Sequence, residues 1–358
     1  MGKALCVALL SVFSAILAAC GLPTDWLEGA PPPPVENGLT VKVLAVGQGD
    51  AILIRTPEQT ILIDTGDTSE TGRLRAALKH EGVRRVDKLI ITHPHRDHIG
   101  GAAMVFRTCD VKEVYDNGQP TSTNVYRDYL KTIQKQKIPS RTLRDGDMLN
   151  LGGGATLRVL SPTQEMVDER GMQNGKVNLN LNSLVARLEY GDFSMMLTGD
   201  AEIPSEEGIL RRHSPETLRC KILKAGHHGS KTASSVDFLR TLDADAVLIS
   251  CGEDNEYHCP HPSVLARYEK QELDVFRTDR NGTITVRTDG KTYSVDLQTP
   301  EPVTVWEDTN AYALTVGNMQ PGEWVYEFLV DGTFTDGAYE IELVTESISP
   351  LSFLFGQQ

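Results

Sequence analysis

The period of the apolar positions changes repeatedly along the chain, and each change marks an element. Residues 39–46 alternate with β-branched side chains, as a strand with one buried face does. Gly47-Gln48-Gly49-Asp50 interrupts the alternation as a turn, and 51–55 and 60–63 continue as strands. The spacing then turns helical over 71–80, and 88–92 is an apolar strand that ends at a histidine cluster. Residues 183–189 and 193–198 form a hairpin pattern about Gly191-Asp192. Helical spacing over 203–213, 234–242 and 262–271 is interleaved with strands at 221–225 and 246–250. Residues 284–287 and 293–297 close as a hairpin about Asp289-Gly290. Strands and helices mixed in this way predict an α/β domain, its sheets covered by helices.

The ends read differently. After Lys3, residues 4–16 form an apolar run that leads into Leu17-Ala18-Ala19-Cys20. A run this short, with small residues at its end, predicts a secretory signal rather than a membrane-spanning helix. The small-small-Cys ending resembles a bacterial lipobox. That resemblance implies a signal peptide over 1–19, a lipid on Cys20, and an extracytoplasmic position on a bacterial membrane (periplasmic side or cell surface). Pro31-Pro32-Pro33-Pro34 favours an extended spacer, so 20–38 reads as a tether. Thr299-Pro300-Glu301-Pro302 marks a second boundary, which leaves 39–298 as the main domain. Beyond it, 299–358 carries short aromatic and β-branched runs and reads as a small β-rich extension; no motif in it names a protein partner.

Composition is that of a globular protein, at 358 residues with 40% hydrophobic and 23% charged positions. A net charge of −14 disfavours a protein that wraps a polyanion and leaves room for a local basic channel only. Setting aside Cys6 and Cys20, the chain keeps Cys109, Cys220, Cys251 and Cys259. These allow three disulfide connectivities, and Cys251 with Cys259, flanking one loop, is the favoured pair.

The chemistry concentrates in Thr92-His93-Pro94-His95-Arg96-Asp97-His98, at the end of a buried strand. Imidazole and carboxylate together suit borderline divalent metals. On an extended segment, side chains two apart share a face, so His93 and His95 can grip one ion. The following turn brings Asp97 and His98 towards a second, and Gly100-Gly101 lets the backbone pass close by.

This motif resembles the H-x-H-x-D-H signature of the metallo-β-lactamase superfamily, and other positions agree in order. Asp64, in Ile61-Leu62-Ile63-Asp64-Thr65-Gly66, matches the acidic position that orients the metal loop. Asp200, in Leu197-Thr198-Gly199-Asp200, matches the carboxylate that bridges two ions, and His227 in Gly226-His227-His228-Gly229-Ser230 matches the last histidine ligand. The resemblance implies a four-layer αββα sandwich with the small β appendage. It implies metal ligation by His93, His95, Asp97, His98, Asp200 and His227, with two divalent ions, zinc or manganese. Val46-Gly47-Gln48-Gly49-Asp50, Leu223-Lys224-Ala225-Gly226-His227-His228-Gly229-Ser230 and Pro260-His261-Pro262 look like the hydrolase domain of ComEC-type DNA-uptake proteins, over about 39–297. The superfamily's additional histidine before the bridging aspartate is missing, and 178–183 stands there instead. Cys259 occupies a position where those relatives carry histidine.

The implied function is that of a metal-dependent hydrolase, with a phosphodiester substrate such as single-stranded DNA or a nucleotide derivative. Two ions ~3.5–4 Å apart favour hydroxide at neutral pH. Asp97 is the candidate to orient it, and His228 and His261 to meet the substrate or its leaving group. The bland readings are support from behind the ligands for His228 and loop packing for His261. Asn182 and Ser183 are candidates to bond a phosphate or simply to start a strand. The alternatives are a hydrolase of another extracytoplasmic ester or lactone, and a partner-binding lipoprotein with a vestigial metal site. A β-lactam substrate is disfavoured by the missing histidine.

Overall fold

The computed structural model describes residues 38–297 and two short strands beyond them, 304–308 and 311–315. The expected signal peptide, lipid-bearing Cys20 and proline tether lie outside the described residues, as does the remainder of the extension. Seventeen strands run through the main domain: β1 (Leu39–Val43), β2 (Ile52–Arg55), β3 (Thr60–Ile63), β4 (Arg85–Ile91), β5 (Asp110–Asp116), β6 (Ser140–Thr142), β7 (Met148–Gly152), β8 (Ala155–Ser161), β9 (Met172–Gln173), β10 (Lys176–Val177), β11 (Val185–Tyr190), β12 (Phe193–Leu197), β13 (Ile222–Lys224), β14 (Ala246–Ile249), β15 (Asp274–Arg277), β16 (Ile284–Thr288) and β17 (Tyr293–Leu297). An eight-stranded sheet has the order β17-β16-β1-β2-β3-β4-β5-β6, and a seven-stranded sheet the order β15-β14-β13-β12-β11-β8-β7. Each sheet is antiparallel in one half and parallel in the other: β3, β4, β5 and β6 run parallel in the first, and β12 to β15 in the second. Thr304–Asp308 and Ala311–Thr315 pair antiparallel, a β hairpin within the expected extension.

Strand alternation sorts the apolar side chains into layers. Val41, Val43, Ile52, Ile54, Ile61 and Ile63 of the first sheet meet Leu157, Val159, Leu188, Met195 and Leu197 of the second in one core. The residues between them point outwards. Leu53, Leu62 and Leu89 pack under the helices Thr71–His80, Ala102–Thr108 and Asn124–Gln136. Met196, Leu223 and Val247 pack under Ile203–Arg212, Val236–Leu242 and Pro262–Lys270. Three apolar clusters between four layers make an αββα sandwich, the architecture the motifs implied. Among the described residues, no helix is long and apolar enough to cross a membrane.

Two expectations change. The strand expected over 88–92 runs from Arg85 to Ile91, because its polar start pairs in parallel with β5 from Arg85 opposite Asp110 onwards. No disulfide joins Cys251 to Cys259: all four cysteines of the described residues are free. The Cys251 thiol is buried and donates to Asp279 Oδ1 at 3.2 Å, while Cys259 Sγ faces the Tyr257 carbonyl at 3.8 Å.

Outside the sandwich, Glu81 ties the end of the helix Thr71–His80 to the first sheet. Lys42 Nζ lies 2.5 Å from its carboxylate, and Arg55 donates to its carbonyl. Burial works against its charge, but hydrogen bonds from His80 and Lys42 and the cations Lys42 and Arg55 outweigh it and hold the carboxyl at about 2. The folded value lies below the ordinary 4.5, so this contribution to stability is complete above about pH 4.5 and is lost as the pH falls towards 2.

Acid unfolding of Glu81→Gln is expected to lose the part of its pH dependence between about 4.5 and 2 that wild type shows. A denaturation series at stepped pH checks this, and identical slopes would remove the assignment. Leu188→Ala, between the sheets, is expected to cost about 2–5 kcal/mol. Leu130→Ala, at a position 44% exposed, is expected to stay within about 0.5 kcal/mol in the same chemical denaturation.

Candidate metal centre

The histidine motif sits where β4 ends, between the two sheets' parallel halves. The loops after β3, β4, β12, β13 and β14 all open on that side, as ligand sites of parallel sheets do. After β4 the chain stays extended through His95 (φ −73°, ψ 154°) and then enters the short helix Arg96–Ile99. His93 and His95 therefore share a side, with ring centroids 4.7 Å apart and His93 Nε2 2.9 Å from His95 Nδ1. Gly100 and Gly101 answer a close approach: a Cβ at Gly100 would lie 2.3 Å from Thr68 N, and one at Gly101 2.3 Å from Thr65 O.

Asp64 holds this loop from beneath. Its backbone is left-handed at φ 58°, and its carboxylate accepts from Thr92 N at 2.8 Å and Thr92 Oγ1 at 2.7 Å, with His98 Nδ1 at 2.8 Å. The role implied for it, holding rather than ligating, is what this geometry performs. Asp200 enters from the other sheet on the turn after β12, where Ser183 Oγ accepts from its amide at 3.2 Å. Its two oxygens divide the site. Oδ1 lies 3.1 Å from His98 Nε2 and 3.6 Å from His228 Nε2, and Oδ2 lies 3.7 Å from His93 Nε2. Among the described residues two clusters of potential ligands share Asp200, Asp97-His98-Asp200-His228 and His93-His95-Asp200, and a third group, Asp50-Asp64-His98, lies behind His98.

The neighbouring histidines after β13 have exchanged the places expected of them. Both are left-handed, at φ 48° for His227 and 54° for His228, so their rings diverge, 6.2 Å apart at 62°. His228 is buried and turns into the first cluster, with Nε2 3.3 Å from Asp97 Oδ2. His227, the expected ligand, belongs to neither cluster; it stays 29% exposed, with Nε2 3.8 Å from Asp200 Oδ2 and Nδ1 3.3 Å from Glu202 Oε1. His261 is also apart. Its Nδ1 accepts from Ser263 N at 3.2 Å and caps the helix Pro262–Lys270. Asn182 is turned to Gln119 and the Met166 carbonyl rather than into the site.

Three participants lie in stretches singled out in the sequence but were given no role there. Asn180, in the stretch without the family's histidine, is buried with its Nδ2 3.3 Å from His227 Nε2. Glu202 accepts from Asn178 at 2.8 Å and Thr232 at 3.1 Å as well as facing His227. Asp50 lies 3.4 Å from His228 Nδ1 and 2.8 Å from Lys224 Nζ. Their signal was present only as position within the Gly47-Gln48-Gly49-Asp50 turn and beside the bridging aspartate.

A divalent cation fits this donor set. His98 Nε2 and Asp200 Oδ1 are buried and face one another at 3.1 Å without the alignment of a hydrogen bond, so both remain short of the partners that buried polar atoms usually have. Both belong to the cluster in which a cation would satisfy them. The electrostatics agree. Burial disfavours charge on His228, but Asp200, Asp50 and Asp97 outweigh it and raise it to about 10. His98 is likewise raised well above the ordinary range against its burial, by Asp200, Asp64 and Asp97. Burial, and then the His98 charge, hold His93 well below it. Imidazoles forced to carry protons among carboxylates mark a place that wants positive charge, and ligand imidazoles give up such protons when metal binds.

The model of the metallo-β-lactamase superfamily matches residues 44–253. The chain belongs to that superfamily of metal-dependent hydrolases. Its αββα layers and histidine-aspartate clusters imply divalent metal ions. ComE operon protein 3 of Bacillus subtilis (strain 168) is 30% identical over 288 residues, covering 75% of this chain and 36% of that protein. Competence protein ComA of Neisseria gonorrhoeae is 28% identical, covering 75% and 35%. Recombination protein 2 of Haemophilus influenzae is 30% identical, covering 69% and 28%. The resemblance to ComEC-type proteins therefore holds, and this metallo-β-lactamase-fold chain spans about a third of the length of those curated relatives.

Metal content should follow the observed clusters. Asp200→Ala is expected to lose most bound divalent metal, His228→Ala to lose a substantial part, and His227→Ala to keep it. Elemental analysis after equilibration with zinc or manganese reads this directly. Loss in His227→Ala with retention in His228→Ala would restore the assignment made from the sequence.

Proposed function

We propose that this chain is a phosphodiesterase acting on single-stranded DNA or a nucleotide derivative, with two divalent cations, zinc or manganese. The observation that carries the reading is Asp200, whose two oxygens face two separate groups of ligands. A carboxylate so placed would help to hold two cations, which would supply the charge stabilisation that serves in-line displacement at phosphorus. The competence and recombination names of the relatives support a nucleic-acid substrate.

His93, His95 and Asp200 would hold one cation, and Asp97, His98, Asp200 and His228 the other. When bound, such cations neutralise charge gathering on the phosphoryl group and favour ionisation of water at neutral pH. The chain's own part is positioning. Asp97 is the most open of the site's carboxylates at 27% exposure, and it orients the attacking water from that open side. His227, steadied from behind by Glu202, lines the mouth of the site and takes the substrate contact first expected of His228. A cleft of about 240 Å³ opens beside Asp97, with Arg73, Arg96 and Tyr257 among its lining residues. Arg96 is paired with Asp67 at 2.7 Å and Arg73 with Glu70 at 3.1 Å, and the exposed Tyr257 ring suits a stacked base. Glu253 and Glu256 share the wall, so the substrate enters as a single strand or small diester rather than as a wrapped duplex. Residues 17–20 support a lipid on Cys20 that holds the domain outside the cytoplasm.

Purified protein with zinc or manganese should turn over bis-(p-nitrophenyl) phosphate and single-stranded DNA, and leave a chromogenic β-lactam intact. Asp200→Ala should lower kcat/KM at least about 100-fold, in the range seen when a major electrostatic contribution is removed. Turnover of a lactone or carboxylic ester alone would replace the phosphodiesterase reading. Full metal occupancy with no turnover of any of these would point to a binding protein.

A further inference from the structure

Beneath the proposed cation ligands lies a buried charge pair that the mechanism above does not use. Lys224 ends β13 and, by strand alternation, points the same way as Ile222, into the core between the sheets. Asp50 precedes β2 and shares the inward side of Ile52 and Ile54. Their side chains, 0% and 1% exposed, meet with Nζ 2.8 Å from Oδ2. The pair thus crosses from one sheet to the other. Lys224 Nζ has one further partner, the Ala225 carbonyl at 3.0 Å.

An enclosed ion pair of this kind is weak evidence for stability, since desolvating the charges offsets most of their attraction. Its surroundings show what else it does. Asp50 Oδ1 lacks a hydrogen bond and faces His228 Nδ1 at 3.4 Å, beside the Ser250 carbonyl at 2.9 Å from the same nitrogen. The Asp50 amide donates to the Asp97 carbonyl at 3.1 Å, and the Asp50 carbonyl accepts from Gly66 N at 2.8 Å. One residue therefore touches the back of His228, which comes from the second sheet, and the backbone of Asp97, which comes from the first.

We propose that Lys224 and Asp50 form a clamp across the two sheets that positions His228 and Asp97 for one of the two cations. The ammonium keeps the Asp50 carboxylate fixed and ionised. The Ser250 carbonyl accepts from Nδ1–H of His228 with the Asp50 carboxylate beside it, so that Nε2 presents its lone pair towards Asp97 and Asp200. Asp64 supports His98 from behind in the same way, but without a buried cation of its own. Lys224 is a positioning residue on this view and touches neither cation nor substrate.

The inference rests on the ligand assignment above, and cobalt titration separates the two. Wild type should take up two equivalents, and wild type that takes up none overturns the assignment together with the clamp. Lys224→Met and Asp50→Asn should each weaken the cobalt equivalent held by Asp97, His98 and His228 at least about tenfold, the scale on which groups behind a ligand act. The other equivalent should keep its affinity and its absorption bands. The double variant should lose no more than the worse single one, because the two residues act as a unit. Unchanged affinity for both equivalents, or an equal fall in both, overturns the clamp. If a single variant fails to fold, the double variant, which leaves no buried charge unpaired, carries the same expectation. Zinc-loaded wild type labelled with 15N at histidine needs no substitution at all: His228 should carry its proton on Nδ1, and a proton on Nε2 overturns the proposal.

Discussion

An excess of enclosed negative charge governs this molecule. Asp50, Asp64 and Asp200 are almost fully buried, and Asp97 stands at the rim beside them. Lys224 is the one lysine or arginine buried with them among the described residues. Carboxylates are costly to bring out of water, and mutual repulsion adds to that cost. The structure meets it with two imidazoles that take up positive charge and with hydrogen bonds from the Thr92 amide and hydroxyl to Asp64. The donor set suits divalent cations before anything else.

The sandwich exists to hold that charge together. Each sheet turns its parallel half towards the same end, so the short loops after β3, β4, β12 and β13 converge without long excursions. Two backbone positions are forced to fit. Asp64 is left-handed, which turns its carboxylate back under the histidine loop, and the tandem left-handed residues His227 and His228 send adjacent rings in different directions. Strain of this sort gathers where surrounding contacts over-determine the backbone.

Much of this was legible in the sequence, and the reasons differ by region. Strands such as β3 and β12 read clearly because burial on both faces leaves short, nearly continuous apolar runs bounded by turn residues. The helix Thr71–His80 was legible to the residue from its apolar stripe. Residues 102–182 were given no elements although part of the stretch is well buried: β8 sends Ala155, Leu157 and Val159 into the core and Ala102–Thr108 buries Met104, Val105 and Phe106, whereas β6 is exposed at all three positions and Asn124–Gln136 buries only Tyr129 and Ile133. The histidine motif was readable because its spacing follows local backbone geometry. The choice between His227 and His228 was not, since it turns on two left-handed φ angles. The expected disulfide failed for a related reason, as loop proximity in sequence says nothing of where the Cys251 thiol points. Asp50, Asn180 and Glu202 escaped because a lone polar residue gains meaning only from what the other sheet brings to it.

The division of the ligands has a consequence for how the chain matures. His93, His95, Asp97 and His98 belong to the loop after β4, whereas Asp200 and His228 hang from β12 and β13 of the opposite layer. Neither half can grip an ion strongly while the layers are apart, so tight loading waits for the final docking step of folding. Capture of the cation then stabilises the docked form in proportion to its concentration over its dissociation constant. A half-built molecule stays empty, and the loaded one is locked.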